Sequence, residues 1–195
     1  MNHLEAINAS VEAGQSYVDI ARKIFLVYPT KVFVGNEEQQ YAITNKIARH
    51  FDVPLTSIQV AGSAKTGRSF FQKRDFVPGS SDLDIAIIDS RLFSKYMEIV
   101  YSETRGYTDK TRFSIRDNRS TYDEYLTYIT KGIFRPNLMP AGQEKANITN
   151  FFGLLSRNHT DLFKDINAAI YLSESFFESK QRSAIKNCIT NPQMP

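Results

Sequence analysis

The apolar positions along the chain alternate between helical and extended patterns. Between residues 3 and 28, Leu4, Ile7, Val11, Val18, Ala21 and Phe25 recur near a helical period. This predicts a helix that Gly14 divides in two and Pro29 ends. A second helix is predicted over 37–51, with Tyr41, Ile43, Ile47, Ala48 and Phe51 as its apolar side and Asn36 as N-cap. Pro54 separates it from residues 57–61, which read as a short strand. A stretch punctuated by Gly and Ser runs from 62 to 81, and residues 82–89 then read as a buried strand. Helices are predicted over 91–104, 121–131 and 143–158, the last with Phe151, Phe152, Leu154 and Leu155 turned inward. Residues 112–116 read as a short strand and 165–172 as a longer one. Ser173 is expected to cap a final helix reaching about residue 188, and 191–195 read as a frayed tail.

Such an alternation predicts an α/β (α+β) fold, a small mixed sheet flanked by helices. At 195 residues the chain reads as a single domain that buries a core without staples. Its expected parts are N-terminal helices (about 1–55), a core (about 56–172) and a C-terminal helix (about 173–190). The apolar fraction of 42% excludes disorder as the main state. One cysteine, Cys188, excludes an internal disulfide framework and a cysteine-based zinc finger. His3, His50 and His159 are too scattered for a His-rich metal site. Apolar runs reach only about five residues where a membrane span needs roughly 20, and no signal peptide is visible. The expectation is a cytoplasmic protein with no membrane partner. A net charge of +3 is too small to argue by itself for nucleic-acid binding. The charge is nevertheless uneven: residues 61–120 hold eleven basic and eight acidic side chains, which directs the search for chemistry there.

Asp82 and Asp84 lie two apart in a predicted strand, so their carboxylates share a face roughly 6–7 Å apart. Two adjacent carboxylates repel and resist desolvation. A divalent cation removes that cost, and Mg²⁺ (or Mn²⁺) is usually held by one or two carboxylates together with substrate phosphate oxygens. Upstream, a strand runs into Gly62 and Ser63, and Gly67 follows five residues after Gly62. Glycine lets a backbone approach phosphate closely, and Ser63 supplies a hydroxyl. A helix starting after Ser63 would add favourable partial charge. Lys65, Arg68, Lys73 and Arg74 offer countercharge. Each feature alone has a bland reading: a solvated strand start, a common turn, a solvated lysine face.

Together they form an ordered pattern. VAGSAKTG is similar to a hydrophobic-Gly-Ser-x-x-x-Gly signature, and SSDLDIAII, which includes Ser81, to a Ser-Asp-hydrophobic-Asp strand. Over residues 57–89 the chain resembles the nucleotidyltransferase superfamily that includes DNA polymerase β and the minimal bacterial nucleotidyltransferases. The resemblance implies that Gly62 and Ser63 hold an NTP triphosphate and that Asp82 and Asp84 bind two Mg²⁺ ions. The nucleotide-binding set so defined is Gly62, Ser63, Lys65, Gly67, Arg68 and Ser81.

Two departures stand out. Eighteen residues separate Ser63 from Asp82, longer than in minimal members, so FFQKRDFVPG forms an enlarged loop, either a lid or a disordered insertion. The family's third carboxylate, on a later strand, has Asp165 as its first candidate, giving Asp82, Asp84 and Asp165 as the catalytic and metal set. Asn167 shares a face with Asp165 and competes for that position, and Asp89 and Asp117 are lesser candidates. The activity implied is metal-dependent transfer of an NMP from an NTP to an acceptor hydroxyl on a protein, an RNA or a small molecule. Toxin–antitoxin and phage-defence settings fall within the resemblance. The alternative is a catalytically silent nucleotide-binding or regulatory module acting through a protein partner. A nucleic-acid-binding accessory protein, using the basic run 105–119, is a third reading. Lys131 and Arg135 are weaker phosphate candidates.

Overall fold

The structure is a computed structural model and describes residues 2–190; the predicted tail lies outside the described residues. The chain opens with helices α1 (His3–Glu12) and α2 (Tyr17–Arg22), the latter prolonged by a π-helical turn, Lys23–Val27. The break between them falls at Gly14, whose φ of +71° no helix continues. Helix α3 (Glu37–Phe51) follows, then β1 (Ile58–Ala61), a five-residue helix α4 (Gly62–Thr66) and β2 (Leu83–Ile88). Helix α5 (Ser90–Glu103) leads to a small hairpin of β3 (Ile115–Arg116) and β4 (Arg119–Ser120). Helix α6 (Thr121–Ile129), strand β5 (Ile133–Phe134), helix α7 (Gln143–Arg157), strand β6 (Ile166–Tyr171) and helix α8 (Glu174–Thr190) complete the order.

The fold is mixed α/β. The main sheet runs β1-β2-β6-β5, with β2 and β6 parallel and both outer strands antiparallel to their neighbours. Alternation along β2 sets the layers. Leu83, Ile85 and Ile87 are buried in one core, with Ile43 and Ile47 of α3, Leu92 and Tyr96 of α5 and Ile148 and Phe152 of α7. Ala86 and Ile88 face the opposite side, where Ile7, Ile20, Phe25, Phe177 and Ile185 from α1, α2 with its π turn, and α8 form a second core. Burying one large aliphatic side chain is worth about 1.5–3 kcal/mol, so both helical layers hold the sheet firmly. Among the described residues no helix is long and apolar enough to cross a membrane.

Several local expectations change. Asn36 precedes α3 but makes no side-chain cap bond; the α3 entry is instead closed by Glu37, whose Oε1 accepts from Gly35 N–H at 2.9 Å. Tyr41 and Leu154 are exposed, because they lie off the stripes set by Ile43, Ile47 and Phe51 and by Ile148, Phe152 and Leu155. Asp89 is the N-cap of α5, its carboxylate accepting from Leu92 N–H at 2.7 Å, which gives it a structural role. Strand β5 was not predicted; two residues and a following Pro136 leave no periodic signal.

Candidate functional site

The pairing register decides which side chains meet. Ala61 of β1, Asp84 of β2 and Asn167 of β6 form one row across the sheet, and Ala86 and Ala169 sit side by side in the next. These alanines keep the sheet surface low beside Asp84. The result is an open cleft of about 780 Å³ on the face carrying the second core. That volume is within the usual range for a small-molecule site.

Gly62 turns the chain out of β1 with φ +64°. A Cβ placed there would lie 2.2 Å from Asp84 Oδ2, so the carboxylate rests directly against the glycine backbone. Here the glycine is required twice, by its left-handed conformation and by this approach. Ser63 follows and lines the cleft with Gly62, Asp82 and Asp84. The helix α4 begins at Gly62 and spans only five residues, so its dipole adds little.

Asp82 stands at the mouth of β2. Its Oδ1 is buried without a hydrogen-bond partner, an uncommon state for a carboxylate oxygen. Burial raises the Asp82 pKa above its ordinary value, and the charge of Asp165 raises it further, against smaller opposing effects of Lys164 and of a backbone hydrogen bond from Asp165. Asp84 is open to cleft water but enclosed by protein on its other sides. Desolvation therefore raises its pKa, Asp82 adds to the rise, and Arg135 and Lys180 oppose it. The pair is under electrostatic tension that a bound cation would relieve. An orphaned carboxylate oxygen and a second carboxylate at one cleft fit a hard divalent ion such as Mg²⁺ or Mn²⁺. Among the described residues no group of three or more His, Cys, Asp and Glu side chains forms a metal cage, so the remaining ligands would be water or substrate oxygens.

The other sequence-derived candidates separate. Arg68 and Ser81 line the cleft. Arg68 also holds Asp75 at 2.9 Å, and Ser81 Oγ accepts from Val77 N–H at 2.9 Å, so both shape the loop after α4. Lys65 points away from the cleft: it is 4% exposed and its ammonium donates to the Tyr28 carbonyl at 2.6 Å. Burial lowers its pKa to about 8. Gly67 closes α4 with φ +83°, its N–H donating to Ser63 O at 2.7 Å. Asp165 precedes β6 outside the cleft lining and bonds β2 through its carbonyl, which accepts from Leu83 N–H at 2.8 Å. The side chain in register with Asp84 is that of Asn167. Asp117 occupies the exposed turn of the β3–β4 hairpin.

The loop expected to be a lid or a disordered insertion is a folded wall. Arg68 pairs with Asp75, Phe76 N–H bonds Gly67 O at 2.9 Å, and the Phe76 ring meets Phe163 edge-on at 5.9 Å. It brings Arg74 and Phe71 to the cleft. Three further cations come from elements remote in sequence: Arg135 after β5, Lys164 before β6 and Lys180 on α8. Arg135 donates to Tyr128 Oη at 3.0 Å and packs 4.8 Å from that ring's centre, which fixes its guanidinium. Lys131 is drawn to the same ring, 5.9 Å from its centre. No family model, curated protein or solved structure matches this chain.

Proposed function

We propose that the chain is a metal-dependent nucleotidyltransferase that takes an NTP with Mg²⁺ or Mn²⁺ and passes the NMP to an acceptor hydroxyl on a protein, an RNA or a small molecule. The observation that carries this reading is the contact of Asp84 with Gly62 beside the orphaned oxygen of Asp82. One cleft thereby offers paired carboxylates, a close-approach glycine turn and the cations Arg74, Arg135, Lys164 and Lys180. A bound divalent ion would supply charge stabilisation to the triphosphate and the leaving group. Asp82 and Asp84 would hold it. The Gly62–Ser63 turn orients the phosphates, with the Ser63 hydroxyl donating, and the cations offset the remaining negative charge. The acceptor oxygen bonds the α-phosphorus as the α–β bridging bond breaks, and pyrophosphate departs. In this reading Asp165, whose charge acts on Asp82 from outside the cleft lining, would receive the acceptor's proton. The setting would be cytoplasmic, and toxin–antitoxin or phage-defence roles fit a stand-alone enzyme of this kind.

A second reading, a catalytically silent nucleotide-binding module acting through a protein partner, is favoured by Asn167 in register with Asp84. An amide there is a weaker metal ligand and no base. Incubation with each α-labelled NTP, Mg²⁺ or Mn²⁺ and candidate acceptors separates the two. Label transfer abolished in an Asp82→Ala/Asp84→Ala variant supports the enzyme; metal-dependent binding without transfer supports the silent module.

A further inference from the structure

The cleft also holds side chains to which the phosphate reading gives no part. Gln181 of α8 is 5% exposed and lines the cleft. Among the described residues its side-chain amide has no hydrogen-bond partner, although Ser183 and Thr190 on the same helix bond back to its carbonyls. An amide that reaches the cleft without a protein partner leaves its donor and its acceptor for a ligand to pair. Phe71 presents the complementary feature. It is 53% exposed, lines the same cleft and has the Lys180 ammonium 5.1 Å from its ring centre. An aromatic ring held in place beside a lysine and open to solvent is a stacking platform for a flat heterocycle. Phe70, Phe25 and Ala184 supply an apolar floor beneath.

We propose that Phe71 and Gln181 form the nucleobase subsite of this cleft and that it selects adenine. The purine stacks on Phe71, and the Gln181 amide makes paired hydrogen bonds, its oxygen accepting from adenine N6–H and its nitrogen donating to a ring nitrogen, as glutamine does to adenine elsewhere. The loop that departs most from a minimal arrangement, together with α8, thus sets base choice, while the Asp pair and the Gly62 turn address only phosphate. This inference rests on the nucleotide reading of the site given above.

Calorimetric titration of the full chain in Mg²⁺ with ATP, CTP and inorganic tripolyphosphate tests it. The wild type is expected to bind ATP roughly tenfold more tightly than CTP or tripolyphosphate. Gln181→Met keeps the length and helix preference of the side chain but removes the amide. It is expected to abolish the ATP-over-CTP preference and to leave tripolyphosphate affinity unchanged. Phe71→Ala, in an exposed position, is expected to weaken both nucleotides and again spare tripolyphosphate. Equal wild-type affinity for ATP and tripolyphosphate, or an ATP preference retained in Gln181→Met, overturns the subsite. If tripolyphosphate still binds in the wild type and is lost in Asp84→Asn, the nucleotide reading survives that failure. If the wild type binds none of the three ligands, both fall.

Discussion

Asp84 Oδ2 lies so close to the Gly62 backbone that a methyl carbon on Gly62 would sit 2.2 Å from it. The contact joins the end of β1 to the start of β2 and brings the turn and the carboxylate into one surface. Gly62→Ala must therefore displace Asp84 and also strain a φ of +64°. The expected cost is about 1–3 kcal/mol of stability, with loss of metal-dependent nucleotide binding. Urea unfolding and calorimetry on the variant check both parts.

The raised carboxyls of Asp82 and Asp84 make stability depend on pH and metal. A carboxyl whose pKa is higher folded than unfolded holds its proton more tightly in the native state. Its contribution is thus most favourable at low pH and declines as pH rises from the unfolded value through the folded one. In metal-free protein this component of stability falls through the carboxylate range. Mg²⁺ restores it, and Asp82→Asn/Asp84→Asn removes both the decline and the response to Mg²⁺. Melting temperatures across pH 4–8, with and without Mg²⁺, read this directly.

Lys65 titrates in the opposite sense. Burial brings its folded pKa to about 8, below the ordinary lysine value of 10.5, so the native state gives up this proton first. Stability from this group rises with pH between those values. Lys65→Met is expected to abolish that rise and to leave nucleotide affinity within about twofold, because the ammonium serves the Tyr28 carbonyl rather than the cleft. A variant losing nucleotide binding while remaining folded would contradict the placement.

Asn167→Asp sets a third carboxylate in register with Asp84. It is expected to lower the metal-free melting temperature and to tighten Mn²⁺ binding about tenfold, since affinity follows ligand charge. Titration of Mn²⁺ by its paramagnetic signal measures the change. Transfer activity that rises with it identifies Asn167 as the feature holding the natural protein back.

The sequence made Asp82, Asp84, Gly62 and Ser63 legible because their spacing lies within single strands and one turn, where period-two alternation fixes faces. Lys65 was misplaced because helix α4 starts at Gly62, so that three residues on the chain turns the side chain back toward residue 28. Asp165 and Asn167 share a face and separate only through the β2–β6 register, since a two-residue shift decides which stands beside Asp84. Arg135, Lys164 and Lys180 converge only through tertiary packing of β5, β6 and α8; of the three, only Arg135 drew notice in the sequence, through its proximity to Lys131.

The most direct test of the account is calorimetric titration of an NTP series into the protein with and without Mg²⁺, beside Asp82→Asn/Asp84→Asn. The account predicts nucleotide binding that requires the divalent ion and disappears in the double variant. Nucleotide binding of equal strength without metal, or undiminished in the variant, would contradict it.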